Sequence, residues 1–446
     1  MFKKSHLRFW MALMIIAVYV YIRVSFTINN SKNVRIYRRV DTRDWENCSI
    51  PFLDSKPMSI RQHYSVNFPY TCRNLIYKTL NDNDMKILSS FRKNYPRIKR
   101  RDSDFIELSK DCSKLKSLGY IEDEISDEEL NFPLAFNMIV HFNAEQVERQ
   151  LRALWRPHNI FCIHVDKSSP KVFHDAIRGI SSCFNNVFVI DPSIDVVYAG
   201  FSRLLADIKC MELLLKSTTN WKYLMNTAGT AFPRMTNYEM VQVLNIYNGA
   251  NDVEGLFDRP IRSRFEDEWI EVIEDNKSFL KKTGKKNPPP PDGTKIVRGS
   301  AYAIFSRNFV HYIINDEKSI RLLEWSRKTW SPDEHYWATL HHLYANPHLH
   351  TPGGYRGIPQ KKPWLAVFAG WSGEYNCKGK WLRGVCVFSV SDLSAIMLKQ
   401  HFFVNKFDVQ FDAYALDCFE AWIMAKSYCR PKFSLDYYKT LPFIIE

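Results

Sequence analysis

Two short acidic pairs offer the first chemistry in this 446-residue chain. Asp82-Asn83-Asp84 and Asp102-Ser103-Asp104 have the Asp-x-Asp spacing with which carboxylates hold a divalent cation on a diphosphate. Neither follows a strand of the α/β block set out below, so neither is placed for that task. His335, His341, His342, His348 and His350 form a second set, but no His-Glu-x-x-His accompanies them, and a metal hydrolase would lack its ligand spacing. Glycine loops for phosphate are missing too. His141-Phe142-Asn143-Ala144-Glu145 stands where a dinucleotide fingerprint would follow the first strand, and there is no Walker A segment. Without a metal, a departing diphosphate needs paired cations, and Arg or Lys side chains are the obvious source. Glu334, after Ser331-Pro332-Asp333, reads on residue types alone as a helix-capping acid.

Such residues need elements to position them. Leu134 to Phe142, Asn159 to Val165, Asn186 to Ile190 and Trp221 to Asn226 read as strands. Between them, Glu145 to Leu154, Lys171 to Ser181 and Ser202 to Lys216 carry apolar residues at helical spacing. Alternation with short connections predicts an α/β fold, a mostly parallel Rossmann-like sheet with ligands beyond the carboxyl ends of its strands. His141 and Asp166 fall at or near two of those ends. Beyond this half the pattern is mixed, with a strand expected in Lys295 to Phe305 and a helix in Asp333 to Leu343.

Charge and cysteine place the domain. The net charge is +13, and the first 110 residues hold 21 Lys and Arg against 9 Asp and Glu. The excess is therefore N-terminal, which argues against a nucleic-acid enzyme with a basic cleft in its main domain. Phe9 to Ile22 is an uninterrupted apolar run that continues past Arg23 to Ile28, about the 20 residues a membrane helix needs. Lys3, Lys4 and Arg8 precede it, so the positive-inside rule keeps the N-terminus cytosolic and sends the bulk to the lumen. A cleaved secretory signal is the competing reading, though no small-x-small site follows the run. Ten cysteines without a C-x-x-C pair, and sequons at Asn29, Asn47 and Asn276, fit a secretory compartment on either reading. The expected organisation is a tail (1–8), a signal anchor (9–28), a basic stem (29–115) and a catalytic domain (116–446).

In order and spacing, NIFCIHVD, VVYAGFSRLLADIKCM, WKYLMNTAGTAFPRMTN, RGSAYAIFSRNFV, TWSPDEHYWATL, LRGVCVF and VNKFD resemble the core 2/I-branching β-1,6-N-acetylglucosaminyltransferases of glycosyltransferase family 14. The resemblance covers about Pro133 to Lys426. It implies a single-pass type II Golgi membrane protein with a GT-A-type fold and an inverting, metal-independent transfer from a UDP sugar to an O-glycan on a glycoprotein. Glu334 matches the family's catalytic base, which takes the acceptor proton while the sugar carbon is attacked from behind the leaving UDP. Arg383 and Lys406 match the cations on the diphosphate. Ile139, His141, Asp166 and Tyr198 match contacts to uridine and ribose. Glu254 and Trp371 match acceptor contacts, and Arg262 and Arg264 stand near the family's acceptor-contacting cations.

The disulfides implied by the resemblance are Cys72–Cys418, Cys112–Cys183, Cys162–Cys210 and Cys377–Cys386. Cys48 and Cys429 are left for a mutual bond or for a disulfide-linked homodimer. Two departures touch the sugars. The family's Gly-x-Asp-Phe-Pro is Gly229-Thr230-Ala231-Phe232-Pro233 here, and Ser372-Gly373 replaces an aromatic after Trp371. The expected donor is thus UDP-GlcNAc, with UDP-glucose or another UDP-hexose as the alternative. A glycan-binding pseudoenzyme is the other reading that Ala231 motivates.

Overall fold

The computed structural model describes residues 72–77, 80–93, 99–122, 125–258, 260–275 and 277–444. The tail, the apolar run at 9–28, the first part of the stem, Asn29, Asn47, Asn276 and Cys48 lie outside the described residues. No helix among those described is long and apolar enough to cross a membrane.

An apolar run makes a strand that must be covered on both faces. β1 (Leu134–Val140) is such a run and lies at the centre of the main sheet. It is parallel to β2 (Ile160–Val165) on one side and to β4 (Tyr223–Ala228) on the other. β3 (Val187–Val189) continues the parallel set beside β2. The fold is therefore α/β and mostly parallel. The register Ile139↔His164 and Ile139↔Ala228 brings the carboxyl ends of β1, β2 and β4 to one edge. Helix Phe201–Lys216 covers the sheet through Leu204, Ile208 and Met211, in one core with Trp221, Tyr336 and Trp337. Its Asp207 accepts hydrogen bonds from Asn137 at 2.6 Å and Asn226 at 3.2 Å, and burial pushes its carboxyl up to about 7.

The second half departs from the expected elements. β5 is the short Ala231–Pro233 segment, and β6 (Asp267–Glu274) and β7 (Lys277–Lys286) form a long hairpin. Within Lys295 to Phe305 only the end is strand: β8 (Ile304–Ser306) closes the main sheet antiparallel to β4. The helix expected from Asp333 begins as a 3-10 turn, Pro332–Glu334, and becomes α-helical only over Tyr336–His341. The break falls at His335, whose φ of −141° lies outside the helical range and separates the 3-10 turn from the α-helix that follows. β9 (Val367–Ala369), β10 (Lys380–Leu382) and β11 (Val385–Val387) follow. β12 (Phe403–Asn405) then pairs with β5 and β9 in a small sheet.

Residues 72–116, read from sequence as irregular, contain the helices Cys72–Tyr77, Asp82–Lys93, Asp102–Ser109 and Cys112–Lys116. Asp102–Ser109 buries Phe105 and lies so close to helix Lys171–Ser182 that a Cβ on Gly179 would sit 2.3 Å from the Ser109 hydroxyl. The two Asp-x-Asp pairs serve here as caps. Asp84 accepts the Asn81 amide at 3.0 Å and Asp104 the Arg101 amide at 2.8 Å, while Asp102 reaches the Ala144 amide at 2.9 Å.

The described disulfides are Cys72–Cys418, Cys112–Cys183, Cys162–Cys210 and Cys377–Cys386, the four pairs that the resemblance implies. Cys429 is also disulfide-bonded.

Candidate active site

The strand ends gather one set of residues. Asp166 follows β2 and donates its amide to the carbonyl of Val140 at 2.9 Å, while Ser169 donates to the carbonyl of His141 at 2.9 Å. These bonds hold the first two strand-end loops together. The Asp166 carboxylate accepts from the Ser168 amide and hydroxyl at 3.0 and 3.1 Å. Ile139 is half-buried just below, and Gly229, after β4, donates to its carbonyl at 3.3 Å. Tyr198 is exposed in the segment between β3 and helix Phe201–Lys216, and the Arg383 guanidinium stacks over its ring at 4.3 Å.

Arg383 reaches this place because of its turn. β10 and β11 are joined by Arg383-Gly384, both with positive φ (53° and 76°), as a tight two-residue hairpin requires. The Cys377–Cys386 bond closes the base of that hairpin. Lys406 follows β12, donates its amide to the Cys386 carbonyl at 3.3 Å and accepts from the Phe388 amide at 2.9 Å. The backbone thereby joins the two cations' supports. Lys406 is held below its ordinary value by burial first, then by the charges of Arg383 and Arg203. His141 is lowered by loss of water first and then by Arg383, against the opposing pull of Asp166. Among the described residues, no carboxylate is ion-paired with Arg383 or Lys406. This edge of the sheet carries uncompensated positive charge.

A second cluster has the opposite character. Glu334 closes the Pro332–Glu334 turn, and its carboxylate is ion-paired with Arg264 at 2.5 Å. The Arg264 guanidinium lies 3.9 Å over the Trp330 ring, and the Arg264 carbonyl accepts the Trp330 amide at 2.7 Å. Arg264, Arg298 and Glu334 line one cleft with Pro260 and Ile261. Glu254 is a second acid whose charge is coupled to Glu334 and Arg298. Burial is the main cause that pushes its carboxyl up to about 7, and the Glu334 charge adds to the shift while Arg298 opposes it. Gly299 fixes the approach of the two acids. Its amide donates to the Glu334 carbonyl at 2.7 Å, and a Cβ on it would stand 2.3 Å from the Glu254 carbonyl.

Arg262 and Trp371 lie elsewhere. Arg262 is exposed and paired with Glu266 at 3.5 Å, so it is Arg264, two residues on, that enters the cleft. Half-exposed Trp371 pairs with Val385, at the Arg383 hairpin. Three of the histidines are core residues: burial lowers His335 and His342 to about 3, and His341 is wholly enclosed, while His348 is half-buried and His350 exposed. Among the described residues, the one grouping spaced to hold a metal is Cys377, Cys386 and Asp392, and its two sulfurs are joined in a disulfide. Ala231 is buried on β5 opposite Asn405, whose side chain accepts from Thr230 at 2.9 Å.

Two cations went unnoticed in the sequence. Arg203 is paired with the buried Asp333, and Arg298 lines the Glu254–Glu334 cleft. Each reads as an ordinary surface cation, because the partner that gives it meaning is far away along the chain.

An α/β sheet with cations at its strand ends and a carboxylate cleft in the same domain can bind an anion and accept a proton. Sequence comparison gives the family. Residues 134–397 match the Core-2/I-Branching enzyme family. Beta-1,3-galactosyl-O-glycosyl-glycoprotein beta-1,6-N-acetylglucosaminyltransferase 3 of Homo sapiens is 38% identical over 73% of this chain and 76% of its own. The Rattus norvegicus protein of that name is 35% identical over 80% and 87%. A beta-1,3-galactosyl-O-glycosyl-glycoprotein beta-1,6-N-acetylglucosaminyltransferase of Bovine herpesvirus 4 is 38% identical over 73% and 76%. Among solved structures, 4-diphosphocytidyl-2C-methyl-D-erythritol synthase from Anaerococcus prevotii matches with a TM-score of 0.23 and 10% identity, over 45% of this chain and 86% of that one, too distant to bear on function. The chain belongs to the Core-2/I-Branching enzyme family and is a glycosyltransferase.

Proposed function

We propose that this protein transfers N-acetylglucosamine from UDP-GlcNAc, in β-1,6 linkage and with inversion, to a Gal/GalNAc-containing O-glycan on a glycoprotein, without a metal ion. The names of its relatives support the sugar and the linkage. The observation that carries the mechanism is the pair Arg383 and Lys406, two cations with no ion pair to a carboxylate among the described residues, set beside a cleft that holds Glu334.

In this reading the uridine and ribose lie against Ile139, His141, Asp166 and Tyr198, where the Asp166 carboxylate can accept from uracil N–H or ribose hydroxyls. The diphosphate takes the place between Arg383 and Lys406. As the glycosidic bond breaks, negative charge grows on the leaving phosphate, and these cations bind it more tightly than they bind the ground state. The acceptor occupies the Glu254 and Arg264 side, and an extended acceptor reaches toward the half-exposed Trp371 at the Arg383 hairpin. Its hydroxyl replaces Arg264 at the Glu334 carboxylate, which takes the proton as oxygen attacks the anomeric carbon. The domain acts in the Golgi lumen behind a single N-terminal membrane helix.

Ala231 favours a second reading of the donor, in which UDP-glucose or another UDP-hexose replaces UDP-GlcNAc at the same machinery. The test is a donor screen with excess EDTA and a core 1 disaccharide glycoside as acceptor, followed by UDP release and product mass. Transfer of N-acetylhexosamine that survives chelation supports the first reading. Transfer of hexose alone selects the second, and UDP binding without product from any donor marks a glycan-binding pseudoenzyme.

A further inference from the structure

The Glu334 turn is held from outside its own segment. Asp333, its neighbour in the turn, is wholly buried, and Arg203 is the one cation ion-paired with it among the described residues. One Asp333 oxygen receives the Arg203 guanidinium and the other has no hydrogen bond. A buried carboxylate that loses its counter-charge must neutralise or move, so this contact constrains the turn. Arg203 also donates to the Tyr302 hydroxyl at 3.3 Å. Tyr302 belongs to the Arg298–Tyr302 stretch whose Gly299 amide binds the Glu334 carbonyl at 2.7 Å. One guanidinium therefore braces both chain segments around Glu334. A backbone bond runs in parallel, from the Ser331 amide to the Ala199 carbonyl at 2.7 Å, next to the Tyr198 that carries Arg383.

We propose that Arg203 is a positioning residue: it fixes the Glu334 carboxylate through Asp333 and Tyr302 and ties the base to the donor-side segment Tyr198–Arg203. This rests on the reading of Glu334 as general base. Arg203 lies on the first turn of helix Phe201–Lys216, so it is rigid where a loop cation would not be. Placement errors on the scale of an ångström cost about a hundredfold in rate.

The test compares full-length wild type with Arg203→Met, Arg203→Lys, Asp333→Asn and the Arg203→Met/Asp333→Asn double variant. Initial rates use UDP-GlcNAc, or the donor that wild type accepts, and calorimetry gives UDP affinity. Arg203→Met should lower kcat by about ten- to hundredfold with UDP affinity changed less than twofold. Arg203→Lys should recover part of the loss, and the double variant should be no slower than the slower single one, since both changes break one brace. Weakened UDP binding at unchanged kcat would make Arg203 a donor ligand and overturn the proposal, as would losses that multiply in the double variant. If Arg203→Met fails to fold, Tyr302→Phe and Arg203→Lys carry the same comparison, and full kcat in both sinks it. Wild type without transfer to any acceptor would instead remove the function on which the proposal stands.

Discussion

The two sides of the site handle charge in opposite ways. On the donor side, Arg383 and Lys406 have no ion-paired carboxylate among the described residues, and Lys406 is lowered by burial first and then by the charge of Arg383. On the acceptor side, Glu334 is paired with Arg264 in a cleft that Arg298 also lines, and the Glu334 charge helps to raise the carboxyl of Glu254 to about 7 after burial. An uncompensated cation pair is stabilised by an arriving anion, so in the proposed reading that side takes its diphosphate by charge. A cleft whose acid is already paired with a guanidinium recognises hydroxyls by direction, through donors and acceptors already in place. The donor side is thus built for strength and the acceptor side for geometry.

This contrast can be broken in four places. The largest effect is expected from Glu334→Gln, which keeps the shape and removes the proton acceptor: transfer should fall at least about a thousandfold, with UDP affinity within twofold of wild type. A fall in UDP affinity of similar size would erase the distinction between the two sides. Next, Arg383→Ala or Lys406→Ala should lower kcat with UDP-GlcNAc about a hundredfold and flatten the dependence of UDP binding on salt, measured by titration at two ionic strengths. Arg264→Met is expected to raise the acceptor KM about tenfold and leave the donor KM unchanged, because the guanidinium that the acceptor displaces from Glu334 can no longer donate to acceptor hydroxyls. The smallest effect concerns stability. The Glu254 carboxyl is raised in the fold to about 7 from an ordinary value near 4.5, so its contribution is fully present below the ordinary value and fades as pH climbs through about 7. Glu254→Gln should abolish that fading, and thermal midpoints from pH 5 to 8 should show the variant gaining about 1 kcal/mol on wild type at the alkaline end.

The same contrast separates what sequence can reveal from what it cannot. The first four strands were legible because Leu134–Val140 and Ile160–Val165 are apolar runs broken only by Asn137 and His164, alternating with periodic helices. β5, β9 and β12 are three residues each, too short to carry a period, and they pair across long separations. The acceptor side was least legible. Arg203 and Asp333 are 130 positions apart, and nothing in the local chemistry of either announces the other. Arg262 and Arg264 look alike in sequence, and a 3-10 turn sends one to solvent and the other to Glu334. The helical reading of Asp333 to Leu343 missed the break at His335 for the same reason, since its φ of −141° is fixed by its surroundings.

The Cys72–Cys418 bond joins residues 346 positions apart, from the first described helix to the middle of Ala413–Cys429. Mechanically the domain is a closed ring. Tension that reaches Cys72 along the chain does not peel the first helix away. It enters the protein at Cys418, on a helix whose residues 413–420 are all buried, and the load is carried by the interior of the fold before it can reach the loops that hold Arg383 and Glu334.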